Sequence, residues 1–185
     1  LQMNGYETEI FELHSRPGGL CTSWERNDYS INGCIHFLIG SGPGNNFYHL
    51  WNELIDMGKI VFVDHEEYMR VEDRDGKCIR FYTDIARLER EFLDKAPEDR
   101  EVIIEFTNGL RKFLTYSPPL EKALEIYSLM DWIKLILNIL PYWFVMKKWG
   151  RISLGEYAGK CTNPLLKKTF ESIFIPDASV FFIMI

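Results

Sequence analysis

Residues 8–24 read Thr8-Glu9-Ile10-Phe11-Glu12-Leu13-His14-Ser15-Arg16-Pro17-Gly18-Gly19-Leu20-Cys21-Thr22-Ser23-Trp24. A short apolar run ends in an acid, and an arginine and two adjacent glycines stand directly behind it. A carboxylate at the end of a strand is placed to accept hydrogen bonds from both ribose hydroxyls of an adenosine, which makes Glu12 a candidate for that role. Gly18 and Gly19 carry no Cβ, so their amides can approach a pyrophosphate closely, and Arg16 offers it a fixed cation. Pro-Gly-Gly is equally a common chain reversal, and spacing alone leaves both readings open.

Upstream, Leu1-Gln2-Met3-Asn4-Gly5 reads as the last turn of a helix, followed by a strand over residues 6–11. A chain that enters in mid-helix is expected to be a fragment. The element before it would be the first strand and glycine-rich loop of a dinucleotide-binding fold. Downstream, CIHFLIG (34–40) is a candidate strand and GSGPGNN (40–46) a loop. Phe47, Leu50, Trp51, Leu54 and Ile55 then fall at helical spacing, with Gly58 as the stop. KIVFVD (59–64) reads as a further short strand ending in Asp64. This order of strand, glycine loop, helix, strand and acid is that of a βαβ nucleotide unit, but its detail is poorer. Gly40-x-Gly42-x-x-Asn45 lacks the third glycine, Pro43 removes an amide, and no Lys-Ser or Lys-Thr follows. A loop before a helix is the favoured reading there.

The chain has 185 residues, 46% of them hydrophobic and 15% aromatic, enough to bury the core of one domain or two small ones. A formal net charge of −6 gives no general attraction to nucleic acid, and no nucleic-acid partner is expected. Cys21, Cys34, Cys78 and Cys161 form no C-x-x-C pair and read as reduced thiols of a cytoplasmic protein. Cys21 reads as a small half-buried residue rather than a nucleophile. His14, His36, His49 and His65 lie apart without ligand partners at helical or turn offsets, so no metal site is expected.

Near residue 60 the composition shifts from glycine-rich to strand-then-helix, which sets the expected regions at 1–58 and 59–185. YMRVEDRDGKCIRFY (68–82) reads as a hairpin in which Asp75 and Gly76 both take positive φ. Asp84 caps a helix to Lys95, and Pro97 opens another that reaches Tyr116. After the Pro118-Pro119 break, an apolar helix is expected over 120–140, stopped or kinked by Pro141. Ser153 and Glu156 form a capping box, Asn163-Pro164 starts a helix to Phe174, and PDASVFFIMI begins another element. The fold class is α/β, α+β overall: a partial Rossmann-like region, then a strand-and-helix region that is predominantly helical after residue 84.

Residues 132–146 are almost wholly apolar, carry aromatic side chains toward the far end, and are followed by Lys147, Lys148 and Arg151, the stretch 132–148 being the one considered for membrane contact. The run has ~15 residues where about 20 are needed to span a bilayer, and Lys134 and Pro141 interrupt it. It reads as a core helix, as the wall of a tunnel for a long apolar substrate, or as an amphipathic segment making peripheral membrane contact.

FELHSRPGGLCTSW (11–24), continued by NGCIHFLIGSGPGNNFYHLWNEL (32–54), resembles the start of flavin-dependent oxidoreductases related to phytoene desaturase, carotenoid isomerase and retinol saturase. The resemblance implies FAD as cofactor, with Glu12 on the adenosine ribose, Arg16, Gly18 and Gly19 along the diphosphate, and Leu20 continuing that wall. The family's Asp-x-Gly-x-His segment corresponds to Asn32-Gly33-Cys34-Ile35-His36, with asparagine in place of the acid. It implies that His36 lies near the flavin or the substrate; a hydrogen-bonded histidine beside a strand is the plainer alternative. The sequence contains no G-x-G-x-x-G before this stretch and no counterpart of the family's C-terminal flavin-binding segment, so a fragment that does not hold FAD tightly by itself is expected. The implied activity is desaturation, saturation or isomerisation of an apolar, isoprenoid polyene, with the chemistry carried by the flavin. No residue stands out as catalytic. The alternative from a different class is a non-catalytic lipid- or protein-binding module whose glycine turns are structural.

Overall fold

In the computed structural model, which describes residues 1–33, 38–116 and 124–184, the chain divides into two units, Leu1–Met57 and Gly58–Ile185. The first opens with a 3-10 turn, Gln2–Asn4, stopped by Gly5 at φ 82. The expected strand over 6–11 does not form: Ile10 and Phe11 are exposed, and no described strand pairs with the segment. Apolar character alone is not enough, because a strand exists only where a neighbour completes its hydrogen-bond ladder.

Regular pairing comes later, in a hairpin the sequence reading missed. β1 (Ser23–Arg26) and β2 (Tyr29–Asn32) run antiparallel, with Trp24 opposite Ile31. Asn27 and Asp28 form the two-residue loop at φ 49 and 65. These are residue types that tolerate left-handed backbone, as a turn matching the strand twist requires. The candidate strand at 34–40 falls partly outside the described residues, and its end, Ile39-Gly40, is a turn.

α1 (Asn46–Leu54) begins where the Asn45 side chain accepts the Phe47 amide at 2.9 Å. It ends short of the anticipated Gly58, because Ile55 leaves helical backbone (φ −141, ψ 149) and the Asn52 side chain accepts the Met57 amide. Gly58 lies instead within a 3-10 turn, Met57–Lys59.

In the second unit the expected strand at 59–64 is also absent. β3 (Glu67–Glu72) and β4 (Cys78–Tyr82) form an antiparallel hairpin, but its turn differs from the expected one. Only Gly76 takes positive φ, at 78°. Asp73 makes the corner instead: its carbonyl accepts the Gly76 amide at 3.3 Å and its Oδ1 accepts the amides of Asp75 and Lys77, each at 2.9 Å.

α2 (Ile85–Lys95) starts at Asp84, whose carboxylate accepts the Arg87 amide at 2.7 Å. A 3-10 turn, Pro97–Asp99, leads into α3 (Arg100–Phe113). Pro118-Pro119 and residues 120–123 of the expected long helix lie outside the described residues. The helix itself, α4 (Leu129–Ile139), starts later, at a Ser128/Asp131 capping box. α4 gives way just ahead of Pro141 to a 3-10 turn, Leu140–Tyr142, at whose opening proline's missing N–H costs little. The turn runs into α5 (Trp143–Trp149), giving a helical segment of 21 residues, Leu129–Trp149, that is long and apolar enough to cross a membrane by length and composition. α6 (Leu154–Ala158) carries the anticipated Ser153/Glu156 capping box. α7 (Pro164–Ile173) is capped by Asn163, and α8 (Phe181–Met184) follows.

Helical spacing assembles the core of this unit. Leu88 and Phe92 on α2, Ile103 and Phe106 on α3, and Leu166 and Phe170 on α7 are all buried. Ile79 and Phe81 alternate onto the same side of β4. At the edge of this core, Glu89 accepts hydrogen bonds from Arg111 and Thr107, and these, against partial burial, hold its carboxyl below the ordinary value. A lowered folded-state pKa gives stability that is present above the unfolded-state value and lost as pH falls through the folded one. Replacing Glu89 with Gln is therefore expected to cost about 1 kcal/mol at neutral pH, discounted for the half-exposed Arg111. The cost should shrink on acidification in paired urea titrations; a pH-independent difference would refute the assignment.

Candidate functional site

The Glu12 carboxylate accepts the His14 amide at 2.9 Å. This hydrogen bond chiefly lowers its pKa; desolvation opposes it, and the amides of Gly19, Leu13 and Gly18 make smaller contributions to the lowering. The acid at the end of the apolar run and the Gly-Gly turn thus lie together. Gly18 stands at φ 130 and Gly19 at φ 54, conformations that residues with a Cβ rarely adopt, so the turn itself requires both glycines. It closes through a 3-10 turn, Gly19–Cys21, with the Cys21 amide donating to the Gly18 carbonyl at 2.9 Å.

Arg16 is exposed, its amide donating to His14 Nδ1 at 3.3 Å, and Leu20 is exposed beyond the glycines. His36 lies outside the described residues. Cys21 is exposed rather than half-buried.

Gly33, which the resemblance places in the Asp-x-Gly-x-His segment without a role of its own, packs beside this turn. Its amide donates to the Thr22 carbonyl at 2.9 Å, folding the end of β2 back onto the turn. A Cβ there would stand 3.0 Å from the Thr22 oxygen and 3.1 Å from that of Leu20. The sequence signal was Asn32-Gly33 directly after the strand-forming Tyr29-Ser30-Ile31. Glu12 and the Gly18-Gly19 turn thus offer an exposed carboxylate for hydroxyl donors and a glycine backbone that anionic oxygens can approach, while Gly33 packs against Thr22 and Leu20 just beyond the turn.

The rival GSGPGNN loop does different work. Gly40, at φ 76, closes the chain against α1: a Cβ would overlap Phe47 and stand 2.9 Å from the Asn45 side-chain oxygen. Trp51 Nε1 donates to the Ile39 carbonyl at 3.0 Å and holds that turn on the helix. Gly42 and Gly44 have open space around them. With 59–64 unpaired, Asp64 ends no strand, and the βαβ arrangement is not formed.

Among the described residues no group of three His, Cys, Asp or Glu side chains is arranged to hold a metal. Burial, and then the charge of Asp99, pushes the Cys161 thiol up to about 12, which makes it an unreactive core residue.

Compared with protein families, residues 1–54 match the model of an NAD(P)-binding Rossmann-like domain. The match takes in Glu12, Arg16, Gly18, Gly19, Gly33 and α1. Neither curated proteins nor solved structures give a match. The chain is α/β, with helices, two small antiparallel sheets and a dinucleotide-binding, oxidoreductase-type similarity at its start.

Proposed function

We propose that the chain is part of an FAD-dependent oxidoreductase, and that residues 12–33 hold the adenosine and diphosphate portion of the cofactor. The observation that carries this reading is the match of residues 1–54 to an NAD(P)-binding Rossmann-like domain, with Glu12 standing shortly before the positive-φ Gly18-Gly19 turn inside it. The residues fit such a group: a Cβ on Gly19 would meet nothing within 4 Å, so its backbone is open to an approaching ligand. Glu12 would accept the ribose hydroxyls, and Arg16 with the open backbone of the glycine turn would face the diphosphate. Leu20 would cover it with apolar surface. When bound, the flavin supplies hydride chemistry, while the chain binds and orients it. The substrate class, an apolar isoprenoid polyene that is desaturated, saturated or isomerised, rests on the resemblance of residues 11–54.

The test is flavin binding by the complete polypeptide that carries this sequence. A yellow chromophore and FAD-dependent quenching of tryptophan fluorescence are expected. The absence of both overturns the reading and leaves the glycine turns structural, as in a lipid- or protein-binding module. Replacing Glu12 with Gln removes a charged acceptor and is expected to weaken FAD about 10-fold or more. Replacing Asp64 with Asn is expected to leave affinity unchanged. The reverse pattern would move the nucleotide to the GSGPGNN loop.

A further inference from the structure

The segment Leu129–Trp149 presents its apolar side outward. At about 100° per residue, Leu129, Ile133, Ile136, Leu140, Trp143 and Phe144 share one face. All six are exposed, Leu129 at 79% and Phe144 at 78%. The opposite stripe, Leu135, Ile139, Tyr142, Met146 and Trp149, is the less exposed one. The segment is fixed to its unit at the C-terminal end. Trp149 is buried, with the rings of Tyr157 and Phe106 at 5.3 and 6.5 Å. Lys148 pairs with Glu105, and the Tyr142 hydroxyl donates to the Thr115 carbonyl at 3.1 Å. These contacts anchor the C-terminal end of the segment to the folded unit.

We infer that this face docks in the plane of an anionic phospholipid membrane, a binding surface that does not depend on the flavin reading. Charge supplies the choice of occupant. In a chain of net charge −6, the one acid of the segment is Asp131, held in the Ser128 capping box at its start; residues 132–151 contain no Asp or Glu, and Lys134, Lys147 and Arg151 are exposed. Apolar side chains rimmed by cations, with Trp132, Tyr142 and Trp143 among them, match the acyl-to-headgroup boundary. A second copy docking through the same face would set these cations against their own counterparts in an isologous contact.

The experiment is flotation of the full chain with vesicles of phosphatidylcholine alone and of phosphatidylcholine with phosphatidylserine. Binding to the anionic vesicles is expected to be about tenfold stronger or more, and to weaken with salt. The double variant Leu137→Glu/Phe144→Glu changes only exposed side chains, and retained far-UV circular dichroism checks its fold. It is expected to lower partitioning by about 100-fold. Lys147→Glu is expected to reduce the anionic preference about fivefold or more while leaving binding to neutral vesicles unchanged. Absence of flotation, or equal partitioning of the double variant and the parent, would overturn the proposal. So would a lipid-free dimer, abolished by the double variant, that does not float.

Discussion

Replacing Phe106 with Ala is expected to destabilise the Gly58–Ile185 unit by about 3–5 kcal/mol, the range for emptying a fully buried aromatic site. Phe106 has no solvent exposure, and four rings surround it. Phe170 lies at 5.0 Å, Tyr157 at 6.0 Å, Phe81 at 6.1 Å and Trp149 at 6.5 Å between centroids. These come from α7, α6, β4 and α5, so one side chain touches four elements at once. Rigid neighbours cannot collapse into the void together, which puts the cost above that of simple transfer to water. Against a typical domain stability of about 5–15 kcal/mol, the loss removes a large share. Urea unfolding followed by far-UV circular dichroism measures it. Phe106→Leu should recover most of the difference, because volume rather than aromaticity fills the site. A cost below about 1 kcal/mol for the alanine variant would show that the core does not close around Phe106.

How much of this was legible in the sequence follows the range of the interactions involved. Asp84, Ser153 with Glu156, and Asn163 each satisfy amides within three residues, and the helices they start are the ones the sequence places. Strands at 6–11 and 59–64 could not be judged this way, since each depends on a partner elsewhere in the chain. The β1–β2 hairpin was legible in principle. Asn27-Asp28 is a turn signal between Ser23-Trp24-Glu25-Arg26 and Tyr29-Ser30-Ile31-Asn32, but the flanking strands are too polar to draw notice. At the candidate site, the pairing of acid and glycines was visible as a pattern, whereas the role of Gly33 was not. Its contact with Thr22 and Leu20 exists only once the hairpin has formed.

The same distinction governs Asp99, whose partners the sequence does not reveal. Asp99 is 3% exposed, and two amides 63 and 64 residues away donate to its carboxylate: Thr162 to Oδ1 at 2.7 Å and Asn163 to Oδ2 at 2.8 Å. Asn163 in turn donates from Nδ2 to the Lys95 carbonyl at 3.2 Å and to Glu98, while its Oδ1 accepts the Leu165 and Leu166 amides. Asp99 thus fastens the start of α3 to the start of α7. Asp99→Ala removes two charge-assisted hydrogen bonds and leaves two donors without acceptors, at an expected cost of about 3–5 kcal/mol. Asp99→Asn separates this account from one based on size alone. The amide is isosteric but has one oxygen for two donors and turns an N–H toward the other, so a loss of about 2 kcal/mol or more is expected. If asparagine restores the parent stability in denaturant titration, the two hydrogen bonds are not what holds α3 to α7.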